Sequence, residues 1–428
     1  MSGLVLIGLI FILAFMGIPV VFALGGAEVM GIYLIKANPF RVMAQSMYMG
    51  INYFPLLAIP LYICMGELMS KADLTKRLIR FSSLFVGRVP GGLAHINILV
   101  SMFFAGMNGS AVADSSSVGG ILIPAMIKEG YSKDISVAVT ASSSCIGPII
   151  PPSIIMVVYG ATVGVSIGSL FVGGIIPGIL LGLALMGIVL IMAPIYNFPR
   201  ITKPIKWPEK WIIIREAAWP LGMPIIIVGG ILGGVFTPTE AGAIGLLYCI
   251  IVGLFIIKSL KIKDLFPIFY HTALVTSTVL LIIGMSRGIS WILSVLQFQN
   301  FLTQALMQIS TNPVVFLLLV NILLLILGTF MDASASIIIF APILTAIAVN
   351  YGINPLHFGL IMVLNLTIGH ITPPLGLCLM VTSEIADISL ERGAKAVFPF
   401  LLSEIGVLMI ITYVPQIVLY IPKLLGYI

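Results

Sequence analysis

Two carboxylates, Asp114 and Asp332, stand in long apolar stretches with no basic residue within reach along the chain. An ionised carboxylate at membrane depth costs at least about 2.5–3.5 kcal/mol on insertion scales unless something compensates it. Two kinds of partner answer that need. Each carboxylate can cap the helix that follows it through the free backbone amides, or it can serve a cation directly or from one shell out. The sequence leaves both open. Hydroxyls gather around the same places: Ser110, Ser115 and Ser116 near Asp114, Ser144 in the run Ser142-Ser143-Ser144, and Thr329 near Asp332. With Asp114 they form the candidate contacts for a carboxylate-bearing or polyhydroxylated solute. Small residues also let membrane helices pack closely, which is the competing use for each serine.

The second feature with chemical potential is a pair of helix breaks. The pattern I-G-x-I-x-P-P occurs at Ile146–Pro152 and again at Ile368–Pro374. Proline removes a backbone donor and clashes with the carbonyl four residues back, so tandem prolines beside glycine unwind a helix rather than bend it. Carbonyls freed in this way suit a hard cation such as sodium, and the positive N-terminal ends of the resulting half-helices suit a substrate carboxylate. A structural kink would use one proline; two related breaks, each paired with a polar cluster in a neighbouring apolar stretch, favour ligands. His370, beside the second break, has Pro148 as its counterpart in the first and reads as a pocket-lining residue.

The elements that position these residues are membrane spans. Of 428 residues 60% are hydrophobic and only 8% charged, whereas a soluble domain carries charge on about a quarter of its residues. Ten crossings are expected near 3–16, 20–36, 50–69, 135–160, 165–194, 217–235, 240–258, 267–290, 355–385 and 396–422. Two further apolar stretches, 92–127 and 312–348, are too long for one crossing and have their polar clusters at the midpoint, so each fits a re-entrant hairpin. The segment Ser70 to Arg80 reads as an arm helix at the interface or a solvated loop. The apolar start lacks a basic n-region and a cleavage site, and is read as a retained helix. The four cysteines have no C-x-x-C spacing and indicate neither disulfides nor zinc.

This arrangement divides the loops between two faces. All of the 21 lysines and arginines except Lys36, Arg41, Arg287 and Lys423 fall on one of them. That face is cytoplasmic by the positive-inside rule, and both termini then lie on the periplasmic side. The basic residues never interleave with exposed aromatics, so the net charge of +6 reports topology and not nucleic-acid binding.

The chain also repeats. Asp114-x9-Pro124 matches Asp332-x9-Pro342, the two Pro-Pro motifs match, and Pro19 matches Pro238 at a similar offset. Residues 1–215 and 216–428 are therefore expected as two repeats. Five crossings per repeat is an odd number, so the copies enter the membrane with opposite orientation. The expected fold is an all-α polytopic membrane protein with two inverted-topology repeats, two re-entrant hairpins and two broken helices. Hairpins and broken helices would form a transport domain, and the remaining helices a scaffold, as in an elevator-type transporter.

In their order, spacing and duplication, Gly17-Ile18-Pro19, Asn108-Gly109-Ser110, Ile146–Pro152, Thr237–Ala241, Gly328–Asp332 and Ile368–Pro374 make the chain resemble the large membrane subunit of tripartite ATP-independent periplasmic (TRAP) transporters, the DctM-like family. The resemblance covers essentially the whole chain. It implies sodium-driven uptake of small organic acids, C4-dicarboxylates or acidic sugars such as sialic acid, across a bacterial inner membrane. It also implies two partners, a small four-helix membrane subunit and a periplasmic substrate-binding protein, and no cofactor beyond sodium ions. Carried over by position, one sodium site would use Ala105, Asn108, Gly147, Ile150 and Pro151, and the other Gly328, Gly369, Thr372 and Pro373, with Asp332 beside it. Asn108 stands where the family often has serine.

Two rivals have their own discriminators. A self-sufficient sodium- or proton-coupled symporter or antiporter would transport when reconstituted alone, and a non-transporting membrane subunit would not transport at all. An enzyme is not expected, since the sequence has no H-E-x-x-H, no nucleotide-binding G-x-x-x-x-G-K-[ST], and no G-x-S-x-G with plausible partner residues.

Overall fold

The computed structural model describes residues 2–35, 39–199 and 206–427, and over them the chain is helical with no strand. Lys36, Arg200 and Lys203 of the charge distribution lie outside the described residues. The first half runs α1 (Ser2–Phe15), α2 (Val20–Leu34), α3 (Pro39–Ile51), α4 (Ala58–Lys71), α5 (Leu74–Val86), α6 (Gly92–Asn108), α7 (Ala111–Lys128), α8 (Lys133–Ser144), α9 (Ile154–Val163) and α10 (Ile167–Ile195). The second runs α11 (Trp207–Leu232), α12 (Pro238–Ile251), α13 (Ile262–Val295), α14 (Phe298–Ile309), α15 (Pro313–Phe330), α16 (Ala333–Asn350), α17 (Pro355–Gly369), α18 (Leu377–Ala386), α19 (Leu390–Tyr413) and α20 (Gln416–Leu424). Among the described residues, eight helical stretches are long and apolar enough to cross a membrane.

The two hairpins and the two broken helices pack by one rule. In the first half α6 and α7 both lie against α8, and in the second α15 and α16 both lie against α17, so each hairpin clasps the first arm of its own broken helix. The second arms are exchanged, with α9 against α16 and α18 against α7. Tyr159 fastens one exchange: its hydroxyl lies 2.9 Å from Thr345 Oγ1 and donates to the Pro355 carbonyl at 2.8 Å. Buried amides fasten the clasps. Asn97 on α6 donates to Thr140 on α8 at 2.7 Å, and Asn365 on α17 donates to Asn321 on α15 at 2.8 Å. A buried polar group must be satisfied inside the protein when lipid lies outside it, which is why Asn97 finds a hydroxyl and Asn365 another amide.

The other helices wrap this bundle. α13 packs along α2, α3 and α4, and α12 along α4, where the Tyr62 hydroxyl donates to the Pro238 carbonyl at 2.6 Å. The crossing expected at 50–69 is found as Phe54–Lys71, a 3₁₀ turn around Pro55 that runs into α4, and it is separated at Asn52 and Tyr53 from α3, which ends at Ile51. Its counterpart α13 runs unbroken for 34 residues. The crossing expected at 396–422 is divided into α19 and α20, where Pro415 cannot continue the hydrogen-bond ladder. The arm helix is α5. It starts at Leu74, buries Leu74, Leu78 and Ser82, and sets Arg80 3.3 Å from Glu216 on α11.

Candidate functional site

The first hairpin turns at Gly109, whose φ of +64° is a conformation L side chains rarely adopt. Space requires glycine there as well, since a Cβ at that position would stand 2.6 Å from the Pro152 carbonyl oxygen. The tip is thus seated on the first break. Ser110 caps α7, its hydroxyl accepting from the Ala113 amide at 3.4 Å. The second hairpin turns through Met331, and Asp332 caps α16, one carboxylate oxygen accepting from the amides of Ser334 at 2.8 Å and Ala335 at 3.4 Å. Gly328, just before this turn, lies backbone to backbone with Gly369 at the edge of the second break.

The breaks are the non-helical segments 145–153 and 370–376, and each contains a cis peptide between its two prolines. α9 restarts under a Ser153 cap, the hydroxyl accepting from Met156 N at 3.2 Å. α18 restarts after Gly376, at φ +61°. Among the described residues no donor reaches the backbone carbonyls of Asn108, Gly147, Ile150, Pro151, Gly328, Thr372 or Pro373. The Gly369 carbonyl accepts from Thr372 N at 3.1 Å. Buried carbonyls are normally paired; of these residues Asn108, Gly147, Pro151 and Gly328 are buried, Ile150 and Thr372 half-buried and Pro373 exposed, so the two tip-to-break contacts offer free oxygens that can face a cation.

A cavity of about 790 Å³ opens where both tips face the surrounding helices. One wall is formed by residues 108–113, Ile154, Ile155, residues 330–332, Ser334, Ala335 and His370, and the other by the α1–α2 turn at 17–21, Ile63 and Glu67 of α4, and α13 between His271 and Ile282. The N-terminal ends of α7, α9 and α16 border it, and such ends favour anionic groups.

Asn108, Ser110, Ser116 and Asp332 line this cavity. The other expected solute contacts do not. Asp114 is 1% exposed and accepts from Ser101 Oγ at 2.8 Å. Ser115 is buried, Ser144 donates to the Thr140 carbonyl at 2.7 Å, and Thr329 donates back to Ile326 at 2.7 Å. Helical phase separates them: Asp114 and Ser116 are two residues apart on α7, about 200° around the axis, so one faces α6 and the other the cavity. Ala105, Gly147, Ile150, Pro151, Gly328, Gly369, Thr372 and Pro373 also lie off the cavity wall, in the second layer of tip and break. Thr372 turns its hydroxyl onto the Ile368 carbonyl at 2.9 Å.

Sequence reasoning missed the contact between Glu67 and His271 on the opposite wall. His271 Nδ1 is 3.1 Å from Glu67 Oε1, and both side chains are partly open to the cavity. They come from different halves of the chain and belong to no motif, so only the packing of α4 on α13 brings them together. Glu28 and Glu404 were missed as well. Both are fully buried, with carboxylate oxygens that have no hydrogen-bond partner among the described residues. A charge inside an apolar run was the available signal for each.

A family model described as the DctM component of tripartite ATP-independent periplasmic transporters matches residues 7–417. The sialic acid TRAP transporter large permease protein SiaM of Vibrio cholerae is 37% identical over 416 residues, 97% of each chain. The C4-dicarboxylate TRAP transporter large permease protein DctM of Pseudomonas aeruginosa is 37% identical over 404 residues, 94% of each chain. Among solved structures, the YdaH transporter of Alcanivorax borkumensis superposes with a TM-score of 0.61 over 87% of each chain at 14% identity, a likeness of fold alone.

Proposed function

This chain belongs to the DctM component family of the tripartite ATP-independent periplasmic transporters, and we propose that it is the solute-translocating subunit of a sodium-gradient-driven importer of small organic acids. As a member of that family it is a multi-pass transport protein and not an enzyme. In this reading it sits in the bacterial inner membrane with both termini periplasmic. It works with a small four-helix membrane subunit and a periplasmic binding protein that delivers the solute.

The observation that carries the reading is the cavity between the two tips and the surrounding helices. Hairpins and broken helices form a transport domain that moves against a scaffold made of the remaining helices, carrying the solute between the two faces by an elevator motion. Sodium binds at the free carbonyls behind each tip: Asn108, Gly147, Ile150 and Pro151 in the first half, with Ala105 beside them, and Gly328, Thr372 and Pro373 in the second, with Gly369 and Asp332 adjoining. Unwound backbone at mid-membrane is where transporters of repeated topology hold coupling ions, and half-helix N-termini are where they hold anionic solutes. In this reading ion and solute lie on either side of each tip, so that occupancy of one favours the other.

The test is uptake of radiolabelled succinate and N-acetylneuraminate into proteoliposomes holding the chain with its small membrane partner, with and without the binding protein, under an inward sodium gradient. Uptake that needs both the gradient and the binding protein is expected. Uptake by the chain alone, or uptake indifferent to collapse of the sodium gradient, would replace this mechanism with a self-sufficient or proton-coupled one.

A further inference from the structure

We infer that Arg287 on α13 is a second solute station, holding the anionic group when the transport domain has moved toward the periplasm. The inference rests on the elevator reading above and adds the residue that receives the solute's charge on the outer side.

The tip cavity carries two carboxylates, Glu67 and Asp332, and neither lysine nor arginine. Of its two imidazoles, His271 faces Glu67 at 3.1 Å and His370 is enclosed, with both ring nitrogens buried. Hydroxyls and amides there can hydrogen-bond an anion, but none of them brings a full positive charge. That charge lies farther along the same helix. Arg287 stands eight residues before the end of α13, about 12 Å down the helix, a depth at which an ionised side chain calls for a partner. Among the described residues it has no carboxylate and no hydrogen-bond acceptor. Its stem is fixed where α3 meets α13, since a Cβ on Gly50 would stand 2.8 Å from Arg287 Cγ and 3.2 Å from the Gly284 Cα.

Arg287 lines a groove of about 700 Å³ with Ser290 and Ser294, one and two turns further along α13, and with Gln45 and Ser46 of α3. No acidic residue lines this groove, nor the small cleft of about 40 Å³ that Arg287 also borders. A guanidinium without a counter-charge, set among hydroxyls and an amide, is suited to grip a carboxylate through paired hydrogen bonds. Its field also draws anions in from the aqueous side.

Two helices join groove and tip cavity. α13 lines the cavity between His271 and Ile282 and the groove between Arg287 and Ser294, while the chain at α16 lines the cavity from Asp332 to Ile338 and the groove at Pro342. Residue numbers rise from cavity to groove along both, so the groove lies toward the ends that the charge distribution assigns to the periplasmic side. Ala335, Ile338 and Pro342, spaced by three and four residues, make one stripe of α16. Asp332 and Pro342 are ten residues apart, about 15 Å of helix. A slide of that length along α13 brings the tip to the place Pro342 occupies, opposite Arg287. There the solute meets a cation. In the position seen here it meets Glu67 instead, so the inner station holds an anion less tightly and favours its release.

The test uses the full chain with its small membrane partner in nanodiscs, carrying Met49→Cys and Ala335→Cys. Met49 lines the groove and Ala335 the tip cavity, so mercury bridges the two thiols only after the slide. Succinate and N-acetylneuraminate are titrated before and after bridging at fixed sodium. The bridged form is expected to be obtained, and in it Arg287→Gln is expected to weaken binding of both probes at least about tenfold, against less than about twofold in the unbridged form. Arg287→Lys should keep part of the affinity, because the charge remains and the paired hydrogen bonds do not. A bridged form that binds neither probe, or binds them equally with arginine and glutamine, overturns the inference and leaves the elevator reading standing. So does a loss confined to nanodiscs containing phosphatidylglycerol and absent in phosphatidylcholine alone, since the guanidinium then serves a lipid phosphate. Failure of the bridge to form at any sodium or solute concentration overturns both. If Arg287→Gln does not assemble, salt decides: affinity in the bridged form that falls steeply with ionic strength supports the arginine, and affinity indifferent to salt overturns it.

Discussion

Gly328 in the last turn of α15 and Gly369 at the end of α17 touch backbone to backbone, so closely that a Cβ built on Gly328 would lie 3.0 Å from the Gly369 Cα. Neither position has a side chain because the hairpin and the break must come together here, with the Leu366 carbonyl 2.8 Å from the same Cβ. The contact holds the second set of free carbonyls in register.

Gly369→Ala should therefore separate tip from break. Overpacking of this kind costs about 1–3 kcal/mol, read as a lower thermal midpoint of the purified protein. If carbonyls at this contact bind sodium, the sodium concentration giving half-maximal uptake rises as well. Gly120→Ala is the control, since nothing lies within 4 Å of a Cβ there. A Gly369→Ala protein with unchanged sodium dependence would remove the ion from this contact.

Asp114 is placed to hold the first hairpin together and not to touch solute. It joins α7 to Ser101 on α6, and Ser101 in turn contacts Ser143 on α8 at 3.1 Å. Asp114→Ala should destabilise by about 1–3 kcal/mol, the cost of leaving buried partners unsatisfied, while Asp114→Asn keeps an acceptor for Ser101. In both variants the KM for solute should stay within about twofold of wild type, a change under about 0.5 kcal/mol. A large rise in KM at full stability would return Asp114 to the solute site.

These two cases show what the sequence could and could not reveal. The hairpins and breaks were legible because their signals are local: tandem prolines, a glycine at the turn, and a polar cluster at the middle of an apolar stretch. The same locality grouped Asp114, Ser115, Ser144 and Thr329 with residues of the cavity wall although they lie off it, because proximity along a helix says nothing about which face turns to the cavity. Glu67 and His271 were invisible for the opposite reason. Their pairing depends on α4 lying along α13, a contact between halves that no short motif records. The boundary between α3 and the Phe54–Lys71 span was hidden by composition, since Asn52 and Tyr53 interrupt hydropathy too briefly to register against the apolar residues on either side.

Thr237 and Glu240 form a reciprocal cap at the start of α12, with Glu240 Oε2 accepting from Thr237 N at 2.8 Å and Thr237 Oγ1 accepting from Glu240 N at 3.3 Å. The Thr-Pro-Thr-Glu spacing is what makes this cap possible, because it sets a hydroxyl and a carboxylate three residues apart across the first helical turn. Thr237→Ala should cost about 1 kcal/mol of stability with no change in the KM of uptake, because the cap lies on the scaffold away from the cavity wall. A rise in KM would show that the entry angle of α12 bears on the site through the Tyr62 to Pro238 bond.

Asp332 does two things that substitution can separate. Its carboxylate caps α16 through Ser334 N and Ala335 N, and the residue also lines the cavity. Asparagine is as good a cap as aspartate, whereas alanine abolishes the cap at a cost of about 1 kcal/mol. Asp332→Asn should therefore keep wild-type thermal stability, and Asp332→Ala should lose it. If the charge acts only on the helix, the asparagine variant transports normally. If it also balances sodium behind the tip or receives a donor from the solute, Asp332→Asn lowers uptake at least about tenfold, equivalent to about 1.4 kcal/mol, at unchanged stability. Paired measurement of melting and of initial uptake rate in these two variants distinguishes the outcomes, and the second is the one expected from a carboxylate that faces the cavity at the tip of a hairpin.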